Sequence, residues 1–276
     1  MPHLFCFGLG YTARALARHL AQRGWTVTGT SRSGEDGTLA FDGTKPLPRS
    51  SFDGISHLLI SVPPGETGDP VLNCHADDLK EIASTLSWAG YLSTTGVYGD
   101  RGGDWVDESS PLAPTTARGE RRLAAETAWR ALDLPLHIFR LAGIYGPGRN
   151  QLVSLLDGTA KRIVKQGQIF SRIHVEDIAG ILQASIDKPH PGQAYNVCDN
   201  EPCPPQDVVA FAAGLLQIPA PPEIPFAEAR LSPMARSFYA ESKRVSNRRI
   251  KDELGYRLIH PTYREGLRAL AATLSR

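Results

Sequence analysis

Apolar and polar positions in the first half of the chain switch repeatedly between continuous apolar runs and helical spacing. Phe5-Cys6-Phe7 closes an apolar run that meets Gly8-Leu9-Gly10, after which Leu16 and Leu20 recur at the spacing of one helix face. Residues 24–30 read as a second strand, 38–42 as a short third, and 55–62 as a buried fourth stopped by Pro63-Pro64-Gly65. Helical spacing over about 71–87 sets Leu72, Leu79, Ile82 and Leu86 on related faces. A strand at 90–94, a helix at 119–132 and a strand at 136–141 follow. This alternation predicts an α/β fold with a doubly wound parallel sheet covered on both faces. Beyond Tyr145-Gly146-Pro147-Gly148 the alternation lapses: 152–158 and 207–216 read as helices, 194–197 as a strand, and prolines at 202, 204, 205, 219, 221, 222 and 225 as loop markers.

The bend after the first strand carries the clearest chemistry. Gly8 permits a tight turn, Gly10 lets the backbone approach a phosphate, and small Ala13 lets helix and strand pack closely. The helix that follows offers free N–H groups and a positive dipole end to an anion, so Gly8, Leu9, Gly10 and Tyr11 form a candidate dinucleotide pyrophosphate cradle. A strand-to-helix turn also needs glycine for steric reasons alone.

Bulk composition narrows the classes. The 276 residues, 41% hydrophobic, suffice for a full core, and a net charge of +1 argues against a nucleic-acid partner. Basic residues thicken toward the C-terminus (Lys243, Arg244, Arg248, Arg249, Lys251), but interleaved Glu241, Asp252 and Glu253 read as a solvated helix face. Four cysteines at 6, 74, 198 and 203 have neither zinc-ligand nor redox spacing and fit reduced thiols in the cytoplasm. The first strand begins almost at once, leaving no signal peptide, and no apolar run reaches membrane-spanning length, so neither a membrane nor export is expected.

Three further segments, Leu92-Ser93-Thr94-Thr95-Gly96-Val97-Tyr98-Gly99-Asp100, Phe139 through Arg149, and Ile173-His174-Val175-Glu176-Asp177-Ile178-Ala179, join the opening turn in resembling the extended short-chain dehydrogenase/reductase superfamily. The resemblance runs through Tyr195-Asn196-Val197 to Tyr263-Arg264-Glu265-Gly266-Leu267. It is closest to an atypical, epimerase/dehydratase-like bacterial branch. It implies a Rossmann-type doubly wound parallel sheet with a small C-terminal substrate lobe. The expected division is a mainly NAD(P)-binding core over 1–150 and a mainly substrate-binding lobe over 151–276, with 190–200 returning a strand to the core sheet. Thr94 matches the family's active-site hydroxyl, and Asp42 its adenine-contacting aspartate. His174, Glu176 and Asp177 match a segment that ties lobe to core, and no two-histidine spacing suggests a metal.

Two departures matter. The family's tyrosine and lysine, four residues apart, are replaced: counting back from Leu123-Ala124-Ala125-Glu126 puts Arg118 at the tyrosine position and Arg122 at the lysine position. An arginine stays protonated and cannot exchange a proton at neutral pH, although Arg122 suits a ribose hydroxyl or phosphate. Both also suit a basic, solvated face, and Tyr98 and Tyr145 hold motif positions of their own. Gly143 stands where nucleotide-sugar enzymes carry an asparagine, which weakens the case for that substrate.

The end of the second strand bears Thr30-Ser31-Arg32-Ser33 without a carboxylate, so Ser31 and Arg32 favour NADP, with NAD the alternative. Ser61, Val62 and Pro63 are placed in the cofactor cleft. Two functions follow: an oxidoreductase or epimerase on a small hydroxyl, carbonyl or sugar-type substrate, or a non-catalytic NADP-binding redox sensor. The resemblance also implies homodimers paired through the dyad helix, although Trp129 among small alanines equally suits packing onto its own sheet.

Overall fold

The computed structural model describes residues 1–274. β1 (His3–Phe7) enters the glycine turn and α1 (Tyr11–Ala21) leaves it, followed by β2 (Thr26–Ser31), β3 (Leu39–Ala40) and β4 (His57–Ile60). Next come α2 (Pro70–Ile82), β5 (Trp88–Thr94), β6 (Trp105–Val106), α3 (Ala117–Arg130), β7 (Leu136–Leu141) and β8 (Gly143–Tyr145). The second half adds α4 (Gln151–Leu156), β9 (Arg162–Val164), β10 (Arg172–His174), α5 (Val175–Asp187) and β11 (Ala194–Val197). It closes with α6 (Pro205–Leu215), β12 (Glu223–Pro225), α7 (Pro233–Phe238), β13 (Arg244–Val245), α8 (Arg248–Asp252) and α9 (Tyr263–Leu274).

Seven strands form one parallel sheet in the order β11-β7-β5-β4-β1-β2-β3. This is the Rossmann-type sheet that the alternation predicts. Successive strands add outward in opposite directions from β1, so the order reverses between β1 and β4, where such sheets open a crevice at their carboxyl ends. Side-chain alternation in β1 divides the core. Leu4 and Cys6 join Leu16 and Leu20 of α1 and Ile178 and Leu182 of α5 on one face. Phe5 and Phe7 join Val71 and Leu79 of α2 and Trp129 of α3 on the other. Burial of each large apolar side chain stabilises the fold by about 1.5–3 kcal/mol, and the sheet collects it on both faces. Trp129 packs onto its own sheet: it is fully buried, its ring lies against Tyr91, and Nε1 donates to Asp69 Oδ2 at 2.9 Å.

The lobe rests on short parallel pairs, β8 with β10, β9 with β12 and β6 with β13. A third apolar cluster gathers Tyr145, Leu152, Val208, Ala212, Tyr263 and Leu267.

Local chemistry explains where elements depart from the periodicity. Helix α2 stops at Ile82, short of 87, because Thr85 Oγ1 takes the Ile82 carbonyl at 2.7 Å and a single 3₁₀ turn follows. Strand β3 is confined to two residues: Thr38 turns its hydroxyl to Ser31 and to the Glu35 carbonyl, and Asp42 folds its carboxylate onto Thr44. Helix α5 is not among the elements predicted above; it buries Val175, Ile178, Ala179, Ile181, Leu182 and Ile186 and turns Glu176, Gly180, Gln183 and Asp187 toward the outside at helical spacing.

Candidate functional site

The turn from β1 into α1 has the shape an anion cradle requires. Gly8 has φ +85°, and a Cβ there would stand 3.0 Å from Val62 Cγ2, so glycine is needed for both conformation and room. The loop is pinned from behind: Gly8 N–H donates to Thr30 Oγ1 at 2.9 Å and Leu9 N–H to the Thr30 carbonyl at 2.7 Å. A Cβ on Gly10 would meet nothing within 4 Å, so open space lies against it. Gly10 begins α1 with no side-chain cap, and the first turn holds no acid, which leaves the helix N–H groups for an anion. Tyr11 turns its phenol to the Pro147 carbonyl at 3.0 Å, tying the turn to the loop after β8. These residues fit a dinucleotide pyrophosphate.

At the end of β2, Ser31 Oγ accepts from Gly34 N–H and the Thr38 hydroxyl, closing its own loop. Arg32 is exposed and has no hydrogen bond or ion pair among the described residues. The nearby carboxylate Asp36 pairs with Arg14 at 3.1 Å. Asp42 is exposed, and hydrogen bonds from Thr44 hold its carboxyl below the usual range.

A cleft of about 670 Å³ runs from Thr12 and Ser61 past Thr94 to the lobe. Thr94, Arg118, Arg122, Gly143 and Ser61 share its wall, whereas Gly8, Leu9, Gly10, Tyr11, Ser31, Arg32 and Asp42 lie outside it. Val62 packs against Gly8 and Pro63 follows it; neither lines the cleft. Thr94 ends β5 with its Oγ1 accepting from Gly96 N–H at 3.2 Å, which leaves the hydroxyl hydrogen available to a ligand. Arg118 lies over the Phe238 ring at 5.2 Å. Partial burial and the charges of Arg122 and Arg149 lower its pKa from the ordinary arginine value. Arg122 is buried, and its Nη1 donates to the Leu92 carbonyl at 2.8 Å and to Tyr91 Oη at 3.2 Å. Its guanidinium thus supports the strand that carries Thr94.

Tyr239 lines the cleft, its ring packed against Phe170 and Phe226, but neither Tyr98 nor Tyr145 replaces the missing phenol. Tyr98 is fully buried, donates to Asn196 Oδ1 at 2.7 Å and accepts from Arg140 Nη1 at 2.9 Å; burial pushes its pKa up to about 12. Arg140 in turn pairs with Glu126 at 2.9 Å, and Ser93 also donates to Glu126, so this network braces the sheet behind Thr94. Tyr145 is buried in the lobe core against His174, and burial raises its pKa strongly.

The C-terminal basic stretch divides: Arg248, Lys251, Asp252 and Glu253 are exposed on and beside α8, with Arg248 paired to Asp252, as expected of a solvated helix face, whereas Lys243 and Arg244 depart from it. Lys243 is buried in the cleft wall, its Nζ 2.7 Å from Glu241 Oε2, with both side chains about a tenth exposed (10% and 11%). Arg244 belongs to β13 and donates to the Gly103 carbonyl. Thr115, beside the start of α3, donates to Glu241 Oε1 at 3.1 Å, which brings the pair to the helix that bears Arg118. Arg149, Lys161 and Arg172 complete a wall of six cations (Arg118, Arg122, Arg149, Lys161, Arg172, Lys243) facing one carboxylate, Glu241, among the described residues. No spacing in the sequence announces this wall, because β8, β10, α3 and the 241–243 segment converge on it only after folding.

The sheet and the glycine cradle relate the chain to the extended short-chain dehydrogenase/reductase superfamily, whose epimerase/dehydratase-like proteins are its structural neighbours. A conserved protein of unknown function from Silicibacter pomeroyi DSS is 53% identical, with a TM-score of 0.93 over 100% of both chains. A candidate NAD-dependent epimerase/dehydratase from Methylobacillus flagellatus is 28% identical, with a TM-score of 0.74 over 100% of this chain and 99% of its own. The human epimerase family protein SDR39U1 (isoform 2), solved with NADPH, shares the fold at 21% identity, with a TM-score of 0.76 over 99% of each chain. No family profile matches the chain.

Proposed function

We propose that the protein is an NADP-dependent oxidoreductase or epimerase acting on a small hydroxyl or carbonyl compound that carries an anionic group. One observation carries the reading: a cleft extends from Thr12 in the first turn of α1, past the Thr94 hydroxyl, to a wall of six cations against one carboxylate. Gly8 to Tyr11 would hold the pyrophosphate, Ser61 would line the cleft, and the unpartnered Arg32 suits a 2′-phosphate. The nicotinamide, when bound, supplies hydride exchange with a substrate carbon.

The chain's own residues would handle the oxygen and its proton. Thr94 donates a hydrogen bond to the reacting oxygen. Lys243 takes the place of the absent phenol: its ammonium gives a proton to that oxygen in reduction and regains one in the reverse direction, with Glu241 balancing the charge. The remaining cations hold the substrate's anionic end. The four thiols are unpaired, and no helix among the described residues is long and apolar enough to cross a membrane, which supports a cytoplasmic setting.

A second reading, a non-catalytic sensor of NADP, is favoured by Arg118 and Arg122, neither of which exchanges a proton. Fluorescence titration with NADPH and NADH, followed by nicotinamide absorbance with aldehydes, ketones and sugar nucleotides, separates the two. Binding with turnover supports the enzyme, and binding without turnover supports the sensor. Failure to bind either cofactor overturns both.

A further inference from the structure

His260, ahead of α9, folds back onto the start of α5, where it meets His174 and Glu176 although 84 residues separate it from Glu176. One ligand atom from each of the three residues lies within 4.8 Å of the others. His260 Nε2 is 2.9 Å from Glu176 Oε2, His174 Nδ1 is 3.7 Å from the same oxygen, and the two imidazole centroids are 4.0 Å apart. Asp177 fixes the segment that brings His260 in, accepting from Ile259 N–H at 2.6 Å, His260 N–H at 3.0 Å and Tyr256 Oη at 3.0 Å.

His174 is only 2% exposed, yet its nitrogens are poorly satisfied. Nδ1 receives one long contact, 3.3 Å from Glu176 N–H, and Nε2 has no partner among the described residues. Unpaired buried polar atoms are uncommon because each forgoes its hydration. The Glu176 side chain is 46% exposed and leaves the cluster open to solvent on one side.

We propose that His174, Glu176 and His260 form a binding site for a divalent transition-metal cation, with zinc the best-fitting ion. Two imidazoles and a carboxylate are a borderline-soft donor set of the kind zinc takes in four-coordinate sites that keep one position for water. Zinc bonds of about 2.0–2.1 Å at tetrahedral angles put ligand atoms roughly 3.3 Å apart. Two of the three separations, 2.9 and 3.7 Å, bracket that value, and the third lies within 4.8 Å. The ion would displace the proton shared by His260 and Glu176 and the long contact to His174 Nδ1. Bound there, it would tie the C-terminal segment to the start of α5.

The test uses the full chain, stripped with a chelator and titrated with zinc by calorimetry, with metal content measured after gel filtration. The expected result is one zinc per chain, and with cobalt substituted, the visible absorption of a four-coordinate site. Glu176→Gln, which alters a half-exposed side chain and spares the fold, and His260→Ala should each weaken binding at least about tenfold. Absence of stoichiometric zinc in the unmodified chain overturns the proposal, and so does binding that both substitutions leave unchanged.

Discussion

Lys243 and Glu241 form an ion pair 2.7 Å long inside the cleft wall, two residues apart on one segment and both nearly withdrawn from solvent. At an exposed site such a pair adds little; here each partner has lost most of its hydration, so each depends on the other. Glu241→Gln should therefore lower the free energy of unfolding by about 3 kcal/mol, because it leaves a buried ammonium alone. The double change Glu241→Gln, Lys243→Met should cost less than Glu241→Gln alone. Denaturant unfolding of the two single variants and the double variant reads this directly, and a strictly additive double variant would contradict the pairing.

Gly10 separates binding from folding. Its Cβ position points into open space, so Gly10→Ala should change stability by less than about 1 kcal/mol. The same methyl would occupy the space a pyrophosphate needs, so NADPH affinity should fall at least about tenfold. Thermal unfolding without cofactor, set beside a fluorescence titration, checks both halves.

Arg32 offers a test of cofactor choice, since no other side chain competes for its guanidinium. Arg32→Ala should weaken NADPH binding about tenfold and leave NADH binding unchanged. Equal losses for both cofactors would mean that Arg32 does not meet a 2′-phosphate.

Asp199 links stability to pH. It is buried, its Oδ2 lacks a partner, and desolvation together with Glu201 and Asp177 pushes its pKa up to about 8 despite Arg172 and the Glu201 N–H. An unfolded aspartate titrates near about 3.9. Between those values the native state holds a proton that the unfolded chain has released, so this residue makes stability fall as pH rises from about 4 to about 8. Asp199→Asn keeps an oxygen for the Glu201 N–H at Oδ1 and removes the titration. The variant should gain most over the parent at pH 8 and least at pH 4 in thermal unfolding across that range.

Most of the sheet was legible because β1, β4, β5, β7 and β11 are buried on both faces and write themselves as largely apolar runs: β7 and β11 fall at the bounds their residues suggest. Gly8 and Gly10 were legible because a turn of that curvature admits few alternatives. Helix α5 was harder to read because its outer stripe, Glu176, Gly180, Gln183 and Asp187, is narrow and sits among many apolar residues. The Lys243–Glu241 pair and the meeting of His260 with His174 were hidden for another reason. Local spacing carries no record of which distant segments will touch, and a lysine in a charged stretch looks solvated until the fold removes its water.

The placement of α5 and β11 bears on how the chain acquires its shape during synthesis. β11 flanks β7 at one margin of the sheet, and α5 covers α1, yet both are encoded well past the midpoint. Until they have emerged from the ribosome, the nascent sheet has one face covered by α1 without α5 and one unpaired margin. The half that looks self-sufficient must therefore wait for the other before it can bury its apolar surface.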